Sequence, residues 1–158
     1  ETGMKVKHAL AALAMGGALA PGAAMARDLP AGGVTSAHIA AWLRQAGFTA
    51  RINAEAAQPT ISTSVDDVAI DIYLYDCAQA RCRSLQLASG WDDAARAADK
   101  INAWNTDQRH VRAYQQAGSN LWAVYDLDVS PGGTYEALTG ALTRFRQGVK
   151  AFKAYFAL

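Results

Sequence analysis

Cysteine and histidine are scarce in this chain: 158 residues contain two cysteines, Cys77 and Cys82, and three histidines. A structural zinc site takes about four side-chain ligands. Outside the amino-terminal stretch only His38 and His110 could join the cysteines, and neither lies near them in sequence. No metal or cofactor is therefore expected. The chain also lacks a glycine-rich phosphate loop, a serine-nucleophile elbow and a two-histidine zinc helix, so no catalytic residue is assigned and a non-enzymatic protein is expected. Charge of one sign is missing as well, with a formal net charge of +1. A nucleic-acid binder needs a basic excess to release phosphate counterions, and that class is set aside. Beyond the amino-terminal stretch there is no internal repeat and no low-complexity segment.

What is present is enough apolar material for one core: 51% hydrophobic residues against 18% charged ones, the balance of a single globular domain. Glu1-Thr2-Gly3 precede a methionine and read as an expression-derived remnant. From Met4 to Ala26 a basic start at Lys5, Lys7 and His8 leads into an alanine/leucine run that closes on Ala24-Met25-Ala26. That is the tripartite pattern of a secretory signal peptide with a small-x-small cleavage site. Gly16, Gly17, Pro21 and Gly22 break the run, leaving it too short for a membrane span, and no cysteine follows it to carry a lipid. Cleavage would remove Lys5, Lys7 and Glu1 and leave a formally neutral chain without a membrane span. The compartment implied is periplasmic or secreted, where disulfides persist.

Residues 27 to 34, punctuated by Pro30 and the pair Gly32-Gly33, read as a flexible leader, and residues 35 to 158 as one domain. Thr35 or Ser36 can cap a helix running through Ile39, Trp42, Leu43 and Ala46 to Gly47. Phe48 to Ile52 and Pro59 to Val65 read as short strands joined by a turn around residues 53 to 58. Val68, Ile70, Ile72 and Leu74 then alternate with Ala69, Asp71, Tyr73 and Tyr75, the period of a strand buried on one side. With Arg83, Leu85 and Leu87 they make Asp67 to Ser89 a hairpin. Trp91-Asp92-Asp93 should open a second helix, packed through Ala94, Ala97, Ala98, Ile101 and Trp104 and ending near Asn105. Arg109 to Gln116 and Asn120 to Val129 form a second hairpin, with Leu121, Ala123, Tyr125 and Leu127 on one face and Trp122, Val124, Asp126 and Asp128 on the other. After Ser130-Pro131-Gly132-Gly133, Thr134 caps a final helix whose seam is Tyr135, Leu138, Leu142, Phe145, Val149, Phe152 and Phe156. That seam suits a helix lying along a sheet better than a coiled coil, which would need more heptads. The class is α+β, an antiparallel sheet with helices packed on one face, in the order α-β-β-β-β-α-β-β-α.

In the stretch YLYDCAQARCRSLQL, Ala78-Gln79-Ala80-Arg81 separate Cys77 from Cys82. A four-residue loop would set the cysteines opposite each other on one face, with Tyr73 and Tyr75 beside Cys77 and with Ser84 and Gln86 beside Cys82, away from the apolar core. Metal ligands are short, and the spacing is a poor match to the two-residue gap of redox motifs. A structural disulfide is the expectation. It closes a small loop, so its stabilisation is about 2 kcal/mol.

The stretch NAWNTDQRHVR gathers Asn102, Trp104, Asn105, Arg109 and His110 at a helix-to-strand corner. One reading is a recognition pocket, with Trp104 as an aromatic wall and Arg109 as an anion clamp. The other is structural: Asn102 and Asn105 serve the helix end while Trp104 seals it, a common use of asparagine. Asp126 and Asp128 point to one strand face, as paired carboxylates for acid–base work or as surface charges answered by Arg83, Arg109 or Arg112.

Taken together, IYLYDCAQARCRSLQLASGW, KINAWNTDQRHVRAY and LWAVYDLDVSPGG before a final helix resemble the YbjN family of bacterial proteins over about Thr35 to Phe156. Asn102, Trp104, Asn105, Arg109, Asp126, Asp128 and Gly133 carry the pattern. The resemblance implies a fold like that of type III secretion chaperones, small α+β domains that dimerise and bind other proteins, and a role in sensory regulation. The amino-terminal leader departs from the family pattern. The reading is a periplasmic binding module, chaperone-like or regulatory, with a protein or peptide partner and the option of a homodimer. It would use a helix face or the Tyr73/Tyr75 side of its sheet. The alternatives are a small-ligand sensor or enzyme built on Trp104, Arg109, Asp126 and Asp128, and a purely structural envelope protein.

Overall fold

Alternating burial along the chain sets the architecture. The structure, a computed structural model, describes residues 27–54, 58–92, 94–116 and 120–158. Val68, Ile70, Ile72 and Leu74 line one face of β3 (Val68–Ala78), and Leu85 and Leu87 of β4 (Arg81–Trp91) stand directly opposite Leu74 and Ile72. Strand β2 (Thr60–Val65) flanks β3, and β1 (Arg51–Asn53) closes that edge. On the other side β6 (Leu121–Asp128) pairs with β4, and β5 (Arg112–Gln115) forms the second edge. Every pairing is antiparallel, in the order β1-β2-β3-β4-β6-β5.

Three helices among the described residues cover one face: α1 (Ser36–Gln45), α2 (Ala98–Asp107) and α3 (Tyr135–Phe156). Thr35 and His38 form a reciprocal capping box at the start of α1, satisfying two N–H groups that a bare helix end would leave orphaned. Thr134 caps α3 through Ala137 N–H. The seam expected from the sequence is the buried side of α3, and Leu138, Leu142, Phe145, Val149, Phe152 and Phe156 share one core with Ile39, Leu43, Ile61, Ile72, Leu85 and Leu121. This is the expected α+β arrangement in the expected order of elements. No helix among the described residues is long and apolar enough to cross a membrane.

The boundaries differ in instructive places. Helix α2 begins at Ala98, not Trp91: Trp91 completes β4 opposite Leu121 and stacks on Phe152 at 5.2 Å between ring centroids. A large aromatic gains more there, on a half-buried strand, than at a helix start. Asp93 falls outside the described residues, as do residues 55–57 of the first expected turn and the whole of the second, residues 117–119. The first strand pairs only from Arg51 and the fifth only from Arg112. The cysteine hairpin turns on Gln79 and Ala80 alone, because pairing continues through Cys77 opposite Cys82 to Ala78 opposite Arg81. Both turn residues have positive φ, 51° and 62°, the conformation a two-residue hairpin turn takes to match strand twist.

The largest correction concerns residues 27–34, expected as a flexible leader. They are laid onto the domain instead. Leu29 N–H donates to Gly133 C=O at 2.8 Å, and Val34 exchanges two main-chain bonds with Cys82, at 2.9 and 2.7 Å. Leu29 and Val34 are both buried. Gly33 permits this approach: its φ is +99°, and a Cβ there would lie 2.5 Å from Cys82 O. The crossing also explains why Cys82 is buried, at 1% exposure, although its face lies away from the helices. Replacing Val34 by alanine should cost about 2 kcal/mol of stability in chemical denaturation. The Val34 and Cys82 amides should exchange with deuterium as slowly as those of β4; exchange at free-chain rates would mean that the leader is not docked.

Candidate functional site

With the helices on one face, the opposite face of the sheet carries the remaining side chains, and the strand register places them in rows. Tyr73, Gln86 and Asp126 stand side by side on β3, β4 and β6; Tyr75, Ser84 and Asp128 form the next row. Toward the other end, Gly90, Trp122 and Tyr114 lie adjacent on β4, β6 and β5. Glycine is what allows Trp122 to lie across β4, since a Cβ at Gly90 would come within 2.7 Å of the indole ring. Tyr114 stacks on Trp122 with ring centroids 6.3 Å apart and planes 9° from parallel. The indole Nε1 of Trp122 is buried without an acceptor among the described residues.

The aromatic groups are electrostatically linked. Burial pushes the Tyr73 phenol above its ordinary value, and the negative charges of Asp71, Tyr114 and Tyr75 push it further in the same direction. Burial likewise raises the Tyr114 phenol, as does Tyr75, while Arg112 works against the shift. Tyrosines from β3 and from β5, with β4 and β6 between them in the sheet, thus act on one another in raising these values. Tyr75 and Tyr114 remain 39% and 40% exposed, large rings offered to solvent on an otherwise polar face.

Beside the rings runs a shallow groove of about 540 Å³ lined by Tyr75, Asp76, Ser84, Gln86, Asp126 and Asp128. Ser84 Oγ donates to Asp76 Oδ2 at 2.8 Å. Asp126 accepts from Gln86 Nε2 at 2.7 Å and is ion-paired with Arg112. Asp128 has no charged partner among the described residues. The groove is therefore acidic, with three carboxylates and one arginine at its rim, and the adjoining rings suit a cationic group. Asp126 and Asp128 do share a face, but no set of three or more metal-ligating side chains converges among the described residues.

The helix-to-strand corner has a different role. Trp104 is buried at 2% exposure among Phe152, Tyr155 and Phe156, and its Nε1 donates to Val111 C=O at 2.8 Å. Asn105 does not cap its helix. Its Oδ1 accepts from Ala113 N–H at 2.7 Å and its Nδ2 donates to Ala113 C=O at 2.9 Å. The side chain amide thereby acts as one residue of an additional strand along the β5 edge, blunting a row of groups that would otherwise invite another chain. Asn102 is exposed. Arg109 lies in the loop after α2, against Arg144, Gln147 and Gly148 of α3. Trp104, Arg109, Asp126 and Asp128 do not form one pocket: Trp104 sits beneath the helices, Arg109 beside α3, and the two aspartates on the far face of the sheet.

Cys77 and Cys82 lie at disulfide-bonding distance, with 2.12 Å between sulfurs, on the same face as the tyrosines, as expected. Gly133, another residue of the sequence signature, receives the leader through its carbonyl, and a Cβ there would press on Val129 O and Leu29. Nothing in the local sequence pattern marks Tyr114 or Asp76 as part of this face. Alternation alone shows which way a residue points; it was the strand order β4-β6-β5 that brought Tyr114 beside Trp122.

A protein-family model, YbjN, described as "Putative bacterial sensory transduction regulator", matches residues 25–158. The match takes in the docked leader as well as the helices and sheet. No curated protein matches the chain.

Two measurements follow from these contacts. Asn105→Ala leaves both main-chain groups of Ala113 without their partner and should cost about 1–3 kcal/mol, read by denaturant unfolding; a loss no larger than that of Asn102→Ala would show that the edge does not need it. Alkaline titration of phenolate absorbance should find Tyr73 and Tyr114 ionising above the ordinary tyrosine value. A phenol raised in the folded state keeps its proton while the unfolded chain loses it, so stability is intact below the unfolded value of 10.0 and is lost as pH rises through the higher folded value. Tyr73→Phe should reduce that alkaline loss, and an unchanged profile would contradict the assignment.

Proposed function

The chain belongs to the YbjN family, and on that premise we propose that it is a non-enzymatic, exported regulatory module. In this reading it works in the periplasm and binds a polypeptide segment across the helix-free face of its sheet. The observation that carries the reading is that Tyr73, Tyr75, Tyr114 and Trp122 share the helix-free face with an acidic groove whose wall includes Tyr75. Rigid aromatic rings lose little conformational entropy on binding and are the commonest anchors of protein interfaces. The groove carboxylates favour a segment bearing lysine or arginine, whose charge the rings also accept. A partner that displaces Tyr114 from Trp122 would give the buried indole N–H an acceptor. The disulfide and the amino-terminal leader agree with an oxidising compartment.

A small-molecule reading is less well supported. The groove is open and shallow, whereas ligand sites are commonly concave and bury most of the ligand.

The test is a crosslinked capture from periplasmic extract with the mature chain, residues 27–158, followed by binding of the captured partner's own basic segments as synthetic peptides. Tyr73→Ser/Tyr75→Ser should weaken peptide binding at least tenfold, while Lys150→Glu on the helix side should leave it within twofold. Equal binding by wild type and the tyrosine variant, or loss only in the Lys150 variant, would move the interface off this face. Sedimentation of the free protein distinguishes a heterologous partner from a second copy of the chain.

A further inference from the structure

The first described residue is held from three directions. Arg27 N–H donates to Glu136 Oε2 at 2.9 Å, and Tyr135 N–H donates to the Arg27 carbonyl at 2.9 Å. The Arg27 guanidinium carbon lies 4.1 Å from the centre of the Tyr135 ring, with one nitrogen 3.5 Å from Gln45 Oε1. Main-chain nitrogen, main-chain oxygen and side chain are thus each engaged by Tyr135 or Glu136 in the first turn of α3. The residues just upstream are Ala24-Met25-Ala26, the small-x-small pattern that leader peptidases cut.

We propose that the Ala26–Arg27 bond is the processing site of this chain and that the α-ammonium released on Arg27 is the ligand for which Glu136 is placed. The inference rests on the reading of residues 4 to 26 as a secretory leader. Hydrolysis gives a carboxylate on Ala26 and an ammonium on Arg27, with water supplying the added oxygen and both added protons. The contact then changes from a neutral amide on a carboxylate to a pair in which donor and acceptor both carry charge.

The helix sharpens the requirement. The amino-terminal end of α3 carries partial positive charge, so an ammonium docked there without a carboxylate would be repelled. Glu136, the acidic residue in the first turn, offsets the helix end and the ammonium together. The pair is exposed, so its effect on the melting temperature is modest. Its consequence is positional: processing at this bond places the new terminus against α3, next to the segment that runs on through Leu29 to Gly133.

The pH dependence has a defined sign. A neighbouring carboxylate raises an α-amino group above its usual range of about 7.7–8.0. Stabilisation is then complete below that range and lost as pH rises through the higher folded value. The groups facing the ammonium are Glu136, the Arg27 guanidinium itself and the Tyr135 ring.

The experiment has two arms. Intact mass and amino-terminal sequencing of the exported protein should show a chain beginning at Arg27. An uncleaved chain would overturn the leader reading, and a cut at another bond would overturn the site. Independently, thermal melts compare purified chains begun at Arg27 and at Met25, each with and without Glu136→Gln. At pH 6 the substitution should lower Tm by roughly 2–4 °C more in the chain begun at Arg27. The difference should vanish by pH 10. An equal loss in both chains at every pH would overturn the ammonium assignment even if the cut is found at Arg27.

Discussion

The contact on which the rest of the structure depends is the seam of α3 pressed along one face of the sheet. Phe145 and Phe152 are fully buried and Phe156 nearly so; truncating a buried phenylalanine of this kind costs about 3–5 kcal/mol. This single commitment divides the molecule. It fixes which side of every strand is core, and it anchors α2 through the contacts of Trp104 with Phe152 and Phe156. By anchoring α2 it sets Asn105 against the β5 edge. Whatever the protein does with its sheet, it does on the face that α3 leaves open.

That open face is kept from pairing indiscriminately by devices that are local and polar. The side chain amide of Asn105 occupies one edge. The leader pairs with Cys82 at Val34, so that the far end of the β3–β4 ribbon is closed by main-chain bonds together with the buried Val34 side chain. The Cys77–Cys82 pair sits at this crossing. Its loop is too small for a large entropic effect, and its value lies in holding the hairpin register against which the leader is laid. What remains exposed is a patch of rings and carboxylates, and large exposed aromatics on a sheet are more informative about interaction than isolated apolar residues.

Much of this was legible in the sequence, for reasons specific to each part. Strict alternation in β3 and the three-four spacing of α3 announce their own buried sides, because both periods are fixed by backbone geometry. The cysteine pairing was legible because strand residues on either side of a short turn must oppose each other. Trp91 misled because an aromatic followed by two acids reads as a helix start, while its real partner, Phe152, lies far along the chain. Pro30, Gly32 and Gly33 read as a flexible leader since punctuation residues carry no sign of the distant segment they contact. Asn105 reads locally as a helix-end residue, while its bond to Ala113 depends on a tertiary approach that no local pattern encodes. Tyr114 carries no local sign of its place for the same reason: strand order, not alternation, makes it part of the face.

The central claim, that the helix-free face is the working surface, is tested most directly by hydroxyl-radical footprinting of residues 27–158 in buffer and in periplasmic extract. Tyr75 and Tyr114 on that face and Tyr155 on the helix side are equally open, at 39%, 40% and 39%, so each serves as a reference for the others. The account predicts comparable oxidation of all three in buffer and selective protection of Tyr75 and Tyr114 in extract. Protection of Tyr155 with Tyr75 and Tyr114 unchanged would contradict it.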